Sequence, residues 1–249
     1  MYYFVSDIHL GAGTPQEAKA TEQRFLAFLD RIESDAEALF LVGDIFDFWW
    51  EYERVVPKGF VRVLGRLATM ADRGIRIVML TGNHDMWVGD YLKCECGIEL
   101  YTEPITEHIN GKRLFLAHGD NLNIGDSRKL RFMHWLFRSP FIRRFFSTFV
   151  HPDRWVRFGQ GWSRSSRRAH LEREAAGLAR NEAEILAPLV EYATQYGAEH
   201  PEIDYFVFGH LHIPTDIATP RRMLFLGAWD NGGSYLTLNN NGEIALHKI

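Results

Sequence analysis

Five short apolar runs in this chain each end on a small residue set beside Asp, Asn or His, and that recurrence limits the fold more than any other feature. Tyr2–Val5 stops at Ser6-Asp7, Ala38–Val42 at Gly43-Asp44, residues 75–80 at Thr81-Gly82-Asn83, residues 114–117 at His118-Gly119-Asp120, and Tyr205–Phe208 at Gly209-His210. Apolar runs this short, bounded by turn residues, read as buried strands. Between them lie helical patterns: residues 19–32, with Phe25, Leu26, Phe28, Leu29 and Ile32 on one side, and residues 60–70. Strands alternating with helices imply an α/β layered fold with much parallel sheet. In such sheets ligands sit beyond the carboxyl ends of the strands, so the five polar tips are expected to meet at one rim. The glycines there let the backbone turn sharply and come close to a ligand.

Residues 121–180 break the alternation. They hold 13 Lys/Arg against 4 Asp/Glu, about +9, while the rest of the chain carries 15 basic and 28 acidic residues, about −13. Such a split marks a segment that meets an anionic partner. Ten Phe/Trp residues fall between Phe132 and Trp162, interleaved with the arginines, and Pro140 and Pro152 sit where helices begin or end. The segment reads as a basic, aromatic helical cap inserted between two parts of one core, 1–120 and 181–249. Residues 178–196 read as a longer helix returning to that core, and the chain from Met223 onward as strands with turns at 230–233 and 239–242. No apolar run approaches the roughly 20 residues of a membrane-spanning helix. The start, MYYFVSDIHL, has no basic n-region, so the expected location is cytoplasmic. Cys94 and Cys96 are too close for an ordinary disulfide and read as reduced thiols near a helix end.

The tips carry Asp7-x-His9, Asp44-x-x-Asp47, Asn83-His84-Asp85, His118-Gly119 and His210-x-His212. Imidazole with carboxylate is a ligand set for borderline divalent ions such as manganese, zinc or iron. If the segments are extended, i and i+2 share a side, so both Asp7/His9 and His210/His212 offer two ligands to one cluster. Taken singly, each block has a plainer explanation: a turn, a capping Asn, a satisfied core histidine. Together and in order they provide seven candidates, Asp7, His9, Asp44, Asn83, His118, His210 and His212, where one ion needs only three or four. That number suits two ions sharing a bridging carboxylate, which clamp the attacking and leaving oxygens of an in-line displacement. A bridging water would lose its proton near neutral pH and attack.

These five blocks resemble the calcineurin-like metallophosphoesterase superfamily, and the resemblance covers nearly the whole core. It implies a four-layer sandwich of two mixed β-sheets flanked by helices. By its motifs, Asp7, His9 and His212 would hold the first metal, Asn83, His118 and His210 the second, and Asp44 would bridge them. His84 would act as the catalytic residue beside the phosphate, with Asp47 and Asp85 behind the ligands. The blocks FLVGDIFDFWW, FLAHGD, GHLHIP and above all LGAWDNGGS are similar to UDP-2,3-diacylglucosamine hydrolases. That resemblance implies cleavage of an acylated UDP-sugar to lipid X and UMP in lipid A synthesis. It further implies two divalent ions, expected to be Mn2+, and peripheral contact with the inner leaflet of the membrane. The best-known branch of that family reads Gly-Asn-Arg-Asp where this chain has His84. Ser163, Arg167 and His170 follow an i, i+4, i+7 spacing that resembles the set by which the family holds its substrate, though two residue types differ; Asn83 and Asp120 join them as expected substrate contacts.

Two other classes remain open on the sequence. One is another dinuclear metallophosphoesterase acting on a nucleotide, nucleic acid or other phosphodiester, since a basic, aromatic surface also suits single-stranded nucleic acid; the density of Phe over 141–149 favours an apolar slot over an open groove, so no nucleic acid partner is expected. A non-catalytic interaction module would be expected to lose ligands, and all seven are present with His84.

Overall fold

The computed structural model describes residues 1–122, 139–159, 161, 163, 165, 181–219, 221–230 and 232–249. Among them lie eleven strands in two sheets. The first sheet has the order β11-β10-β1-β2-β3-β4, and the second β5-β6-β7-β9-β8. In the first, β1 (Tyr2–Val5), β2 (Ala38–Val42), β3 (Arg76–Leu80) and β4 (Glu99–Tyr101) run parallel, and β10 (Ser234–Leu238) and β11 (Ile244–Lys248) close it antiparallel. In the second, β6 (Lys112–Ala117), β7 (Tyr205–Phe208) and β9 (Arg222–Phe225) run parallel between antiparallel β5 (Ile105–Ile109) and β8 (Thr215–Ile217). Every apolar run expected to be a strand is one, and the mixed, largely parallel pairing is as expected.

The layers follow from which face each side chain takes. β2 is buried throughout because alternate residues serve two cores. Leu39 and Leu41 face α1 (Pro15–Ile32), α2 (Val61–Asp72) and α3 (Tyr91–Cys96), whereas Phe40 and Val42 face the other sheet. On the far side, Phe115, Phe206, Phe208 and Phe225 pack on Leu186, Leu189 and Ala193 of a long helix, Glu182–Glu199. Helices, sheet, sheet and helix make the four layers. The first helix begins earlier than residue 19: Thr14 caps it, Glu17 completes a capping box, and Pro15 takes the first turn. That first turn is exposed, so apolar spacing gave no sign of it. Cys94 and Cys96 are free thiols in α3, the second of them buried.

Two further helical stretches, α4 (Pro140–Phe149) and α5 (residues 152–159), lie within the basic, aromatic segment; the long helix is accordingly α6. Trp155 of α5 closes a satellite cluster with Phe48 and Trp50, flanked by Tyr52 and Trp87. Trp50 Nε1 donates to Ser147 Oγ at 3.2 Å. Gly159 lies so near the Phe48 ring that a methyl group there would overlap it. No helix among the described residues is long and apolar enough to cross a membrane.

Candidate metal centre

Main-chain bonds lace the end of β1 to that of β2, and the end of β7 to that of β6. Asp7 N–H donates to Gly43 O at 3.1 Å, His9 N–H to Asp44 O at 3.0 Å, and Gly209 N–H to His118 O at 3.1 Å. The side chains converge through bends that a strand does not have. Asp7, His9, Asp44, His210 and His212 have φ of 53°, 49°, 53°, 68° and 61°. They are five of the seven non-glycine residues in the left-handed region among those described. The extended i, i+2 geometry expected for Asp7-x-His9 and His210-x-His212 is therefore wrong. The pairs converge because left-handed turns at both members swing them inward, a conformation that Asp and His tolerate better than most residues and that is held only where surroundings enforce it.

The donors form a tight group. Ligand atoms of Asp7, His9 and His212 lie within 4.8 Å of one another, as do those of Asp7, Asp44 and His118, and those of His9, Asp44 and His84. His9 Nε2 and His212 Nε2 approach to 3.2 Å, and His212 Nε2 stands 3.2 Å from Asp7 Oδ1. His118 Nε2 is 3.3 Å from Asp44 Oδ2, and the His210 ring packs edge-on to His118 at 5.2 Å. Asp44 faces both groups, as a shared ligand must. His118 Nδ1–H donates to Val42 O at 3.0 Å, which leaves Nε2 turned to the site. Asn83 Oδ1 is buried with no hydrogen-bond partner. A buried amide oxygen without a partner at the end of β3, with carboxylates and imidazoles gathered at the neighbouring strand ends, is a donor set that fits divalent cations and is costly without them.

The electrostatics agree. Burial would raise the Asp7 carboxyl, but the neighbouring His212 outweighs it and brings it down to about 2. Asp44, fully buried, is held well below the usual range by His118 and His84. Burial pushes His9 down to about 4 and lowers His210, so both rings offer lone pairs. Burial opposes protonation of His118 and His212, yet Asp44 and Asp7 respectively raise them. The carboxylates draw positive charge to the places where a cation would supply it.

Behind the donors stands a supporting set, some of it not foreseen. Asp85, expected there, is wholly buried and accepts from four main-chain N–H groups: Gly82 at 2.7 Å, Ile45 at 2.7 Å, Asp44 at 3.3 Å and Phe46 at 3.3 Å. It staples the end of β3 to the end of β2. Burial raises its carboxyl to about 7 despite those donors. Ser6 Oγ donates to Asp7 Oδ2 at 2.6 Å. Glu51, buried, accepts from Gly89 N–H at 2.7 Å and Tyr91 N–H at 3.0 Å. Trp229, in the LGAWDNGGS block, donates its main-chain N–H to Asp7 O at 3.1 Å, and its ring packs on Phe25 and Phe28 at 5.4 Å each. A single serine or glutamate carries no sequence signal of such a role.

His84 lies against the donors: its N–H donates to Asp44 Oδ1 at 2.8 Å, and its ring stands edge-on to His9 at 4.7 Å. Its Nδ1–H donates to Asp47 O at 2.8 Å, which leaves Nε2 3.9 Å from Asp44 Oδ2. Asp120 lines a small cleft with Thr81, Glu103 and His118, and its charge acts on His118 and His210. Ser163 is buried with its Oγ on Asp47 Oδ1 at 2.6 Å. Arg167 and His170 lie outside the described residues.

Two mixed sheets sandwiched by helices, with carboxylates, imidazoles and an amide gathered at the strand ends, define the metallophosphoesterase class. The sequence matches the family model of the calcineurin-like phosphoesterases over residues 2–214, and the chain belongs to that family. It is similar to UDP-2,3-diacylglucosamine hydrolase of Porphyromonas gingivalis, 38% identical over 94% of this chain and 92% of that one. The enzyme of the same name from Pseudomonas aeruginosa is 31% identical over 96% of this chain and 95% of that one. Among solved structures, vacuolar protein sorting 29 of Cryptosporidium parvum aligns over 100% of this chain and 96% of that one, with TM-score 0.43 and 12% identity.

Proposed function

We propose that this protein hydrolyses the pyrophosphate bond of UDP-2,3-diacylglucosamine, releasing UMP and lipid X, the acylated sugar phosphate of lipid A synthesis. The convergence of Asp7, His9, Asp44, His118 and His212 carries the phosphohydrolase reading. The 38% identity to the Porphyromonas enzyme over 94% of the chain supports the substrate.

Asp7, His9 and His212 would hold one cation and Asn83, His118 and His210 the other, with Asp44 shared between them; manganese is the ion proposed. When bound, the cations polarise the phosphoryl oxygens and neutralise the charge that develops on them. The chain's own residues supply position and proton control. Asp85 fixes the two main-chain turns that carry Asp44 and Asn83. His84, aimed by the Asp47 carbonyl, presents Nε2 toward the phosphoryl group and donates a proton to the departing phosphate oxygen or stabilises charge there. As the oxygen of water bonds to phosphorus and gives up a proton to solvent, the bridging P–O bond breaks and the leaving oxygen takes up the proton from His84. Asn83, Asp120, Ser163, Arg167 and His170 are assigned to the substrate from the resemblance alone.

Residues 121–180 are assigned as the cap from the sequence. The exposed ridge Phe141, Phe145 and Phe149 on α4, 84%, 55% and 74% accessible with Arg144 beside it, supports peripheral contact with the anionic inner leaflet from the cytoplasmic side. Nucleic acid is not a proposed partner.

The test incubates manganese-loaded protein with UDP-2,3-diacylglucosamine and, separately, with a chromogenic phosphodiester. Rapid UMP release, abolished in Asp44→Ala, is expected. Dye turnover without UMP release would refute the lipid substrate and keep the phosphodiesterase chemistry.

A further inference from the structure

We propose that the turn at residues 52–58 of the core is the second half of a bilayer-docking surface whose first half is the Phe141, Phe145 and Phe149 ridge of α4. The two halves together fix the orientation in which the metal centre approaches an anionic bilayer. This rests on the membrane reading of α4 and not on the identity of the substrate.

A helix lying flat on a bilayer makes contact along one line, and the protein behind it is free to roll about that line. A fixed orientation takes a second contact away from the helix axis. The C-terminal end of α4 rests on the chain that leaves the metal centre. Ser147 Oγ accepts from Trp50 Nε1 at 3.2 Å, and the Tyr52 hydroxyl reaches Val150 O at 3.5 Å. Directly after Tyr52 the chain turns on itself, with Tyr52 N–H donating to Val55 O at 2.9 Å. Val56 packs against the helix-side core, while Val55 is 50% accessible and Arg54 and Lys58 are exposed near it in the chain.

The turn is held in place. Phe60, just past it, has a left-handed φ of 61°, a conformation that a bulky residue keeps only under constraint. Its ring packs on Phe46 at 5.1 Å and Trp49 at 6.4 Å. A turn pinned at Val56 and Phe60 presents Val55 outward on a surface already ordered, which lowers the entropy lost on docking. Exposed Arg54 and Lys58 here and Arg144 on α4 stand against Glu53, so apolar tips and excess positive charge occur together. That combination suits an anionic lipid surface. Each half alone is a weak anchor, since stable attachment takes more than one signal. Eight peptide units separate Tyr52 from Asp44, so the surface begins no more than about 29 Å from the shared ligand. A phosphoester carried in the bilayer then meets the metal centre without leaving the interface.

The experiment places a polarity-sensitive nitrobenzoxadiazole dye on Val55→Cys or, as control, on exposed Ala198→Cys of α6. Both proteins carry Cys94→Ser, Cys96 being buried. Vesicles of phosphatidylglycerol and phosphatidylcholine in equal parts are the probe. On vesicles the dye at position 55 shifts to shorter wavelength and is shielded from an aqueous quencher, and the dye at position 198 does neither. Separately, unlabelled protein with Val55→Asp and Lys58→Glu partitions about 10- to 100-fold more weakly onto the vesicles, while turnover of a water-soluble phosphodiester stays within about twofold. The pair Ala198→Asp and Lys93→Glu, with the same change of charge, alters neither. If wild type floats and the dye at position 55 still reports water, α4 docks alone and this inference fails. An equal loss of partitioning in the control pair shows a plain charge effect and overturns it as well. If wild type does not float, the membrane assignment of α4 fails and takes this inference with it. Should the doubly substituted protein not fold, the dye measurement alone decides.

Discussion

Replacing Gly82 by Ala tests whether the donors need the space that this glycine leaves. A Cβ at residue 82 would stand 2.7 Å from Asp44 N and 2.7 Å from His118 Nε2, and nearer still to Asp44 Oδ1. Carbon in contact with nitrogen or oxygen needs roughly 3.4 Å, so about 0.7 Å is missing on two sides at once. Neither side yields cheaply: one is main chain held by Asp85, and the other is a ring held by Val42 O. Overpacking of this kind costs about 1–3 kcal/mol, or roughly 2–12 °C in Tm for a chain of this size. Function suffers more, because the atoms displaced are donors, and a misplacement near 1 Å costs about 100-fold in rate. Differential scanning calorimetry, bound metal by mass spectrometry and phosphodiester turnover provide the readouts. A Gly82→Ala protein with two equivalents of metal and wild-type turnover would refute the reasoning, since the donors would then have room to spare.

Gly65→Ala is the matched control: it lies exposed inside α2 with nothing near its Cβ, and the change is expected to stabilise by about 0.5–1 kcal/mol in a thermal melt. Chelation of manganese should lower Tm by about 5–10 °C when the ion was present at roughly 100-fold over its Kd, an effect of about 2.7 kcal/mol, reversed by adding the ion back. Arg76 binds Glu99 at 2.7 and 2.9 Å and Glu107 at 2.9 Å, joining the two sheets through strands β3, β4 and β5. It holds the Glu99 carboxyl below its usual value, so this contribution is present above about pH 4.3 and is lost as pH falls. Arg76→Met should therefore cost about 1 kcal/mol at neutral pH in urea titrations, Glu99 being partly exposed, and less near pH 3. Replacing Phe141, Phe145 and Phe149 together by Ser should abolish flotation with anionic liposomes and leave dye turnover intact; unchanged flotation removes the membrane assignment.

Much of the centre was legible because its signals are local. A strand tip shows as an apolar run stopped by Gly and a donor, and five of them in order leave few other folds. The capping box at Thr14 was also written in the sequence, yet apolar spacing hid it, since the first turn of α1 faces solvent. β4, β5 and β8, of three to five residues and with intermediate or exposed positions, carry too few buried side chains for a period to emerge. Partnerships across the chain were not legible at all. Asp47 with Ser163 spans 116 residues and Arg24 with Trp229 O spans 205, and nothing in either local sequence names the other.

The backbone conformation shows why these glycines and carboxylates belong together. Five donors sit in the left-handed region, and each such residue costs of order 1–2 kcal/mol. Their sum, about 5–10 kcal/mol, rivals the whole stability of an ordinary domain. Hydrogen bonding offsets part of it: Asp85 satisfies four main-chain donors, Asp7 accepts from Ser6 and from His210 N–H, and Asp44 accepts from His84 N–H. These bonds, however, leave Asn83 Oδ1 without a partner and gather two ionised carboxylates in a buried place. Cations are what make the arrangement worth holding, and the strain is then part of the selectivity. A site built this tightly, with Gly43, Gly82 and Gly209 all leaving no room for a methyl group, is expected to relax little when an ion is missing. Loss of one donor should therefore cost both metals together rather than one, and Asn83→Ala, which removes a donor assigned to a single ion, should release two equivalents on dialysis; release of one alone would show two independent sites.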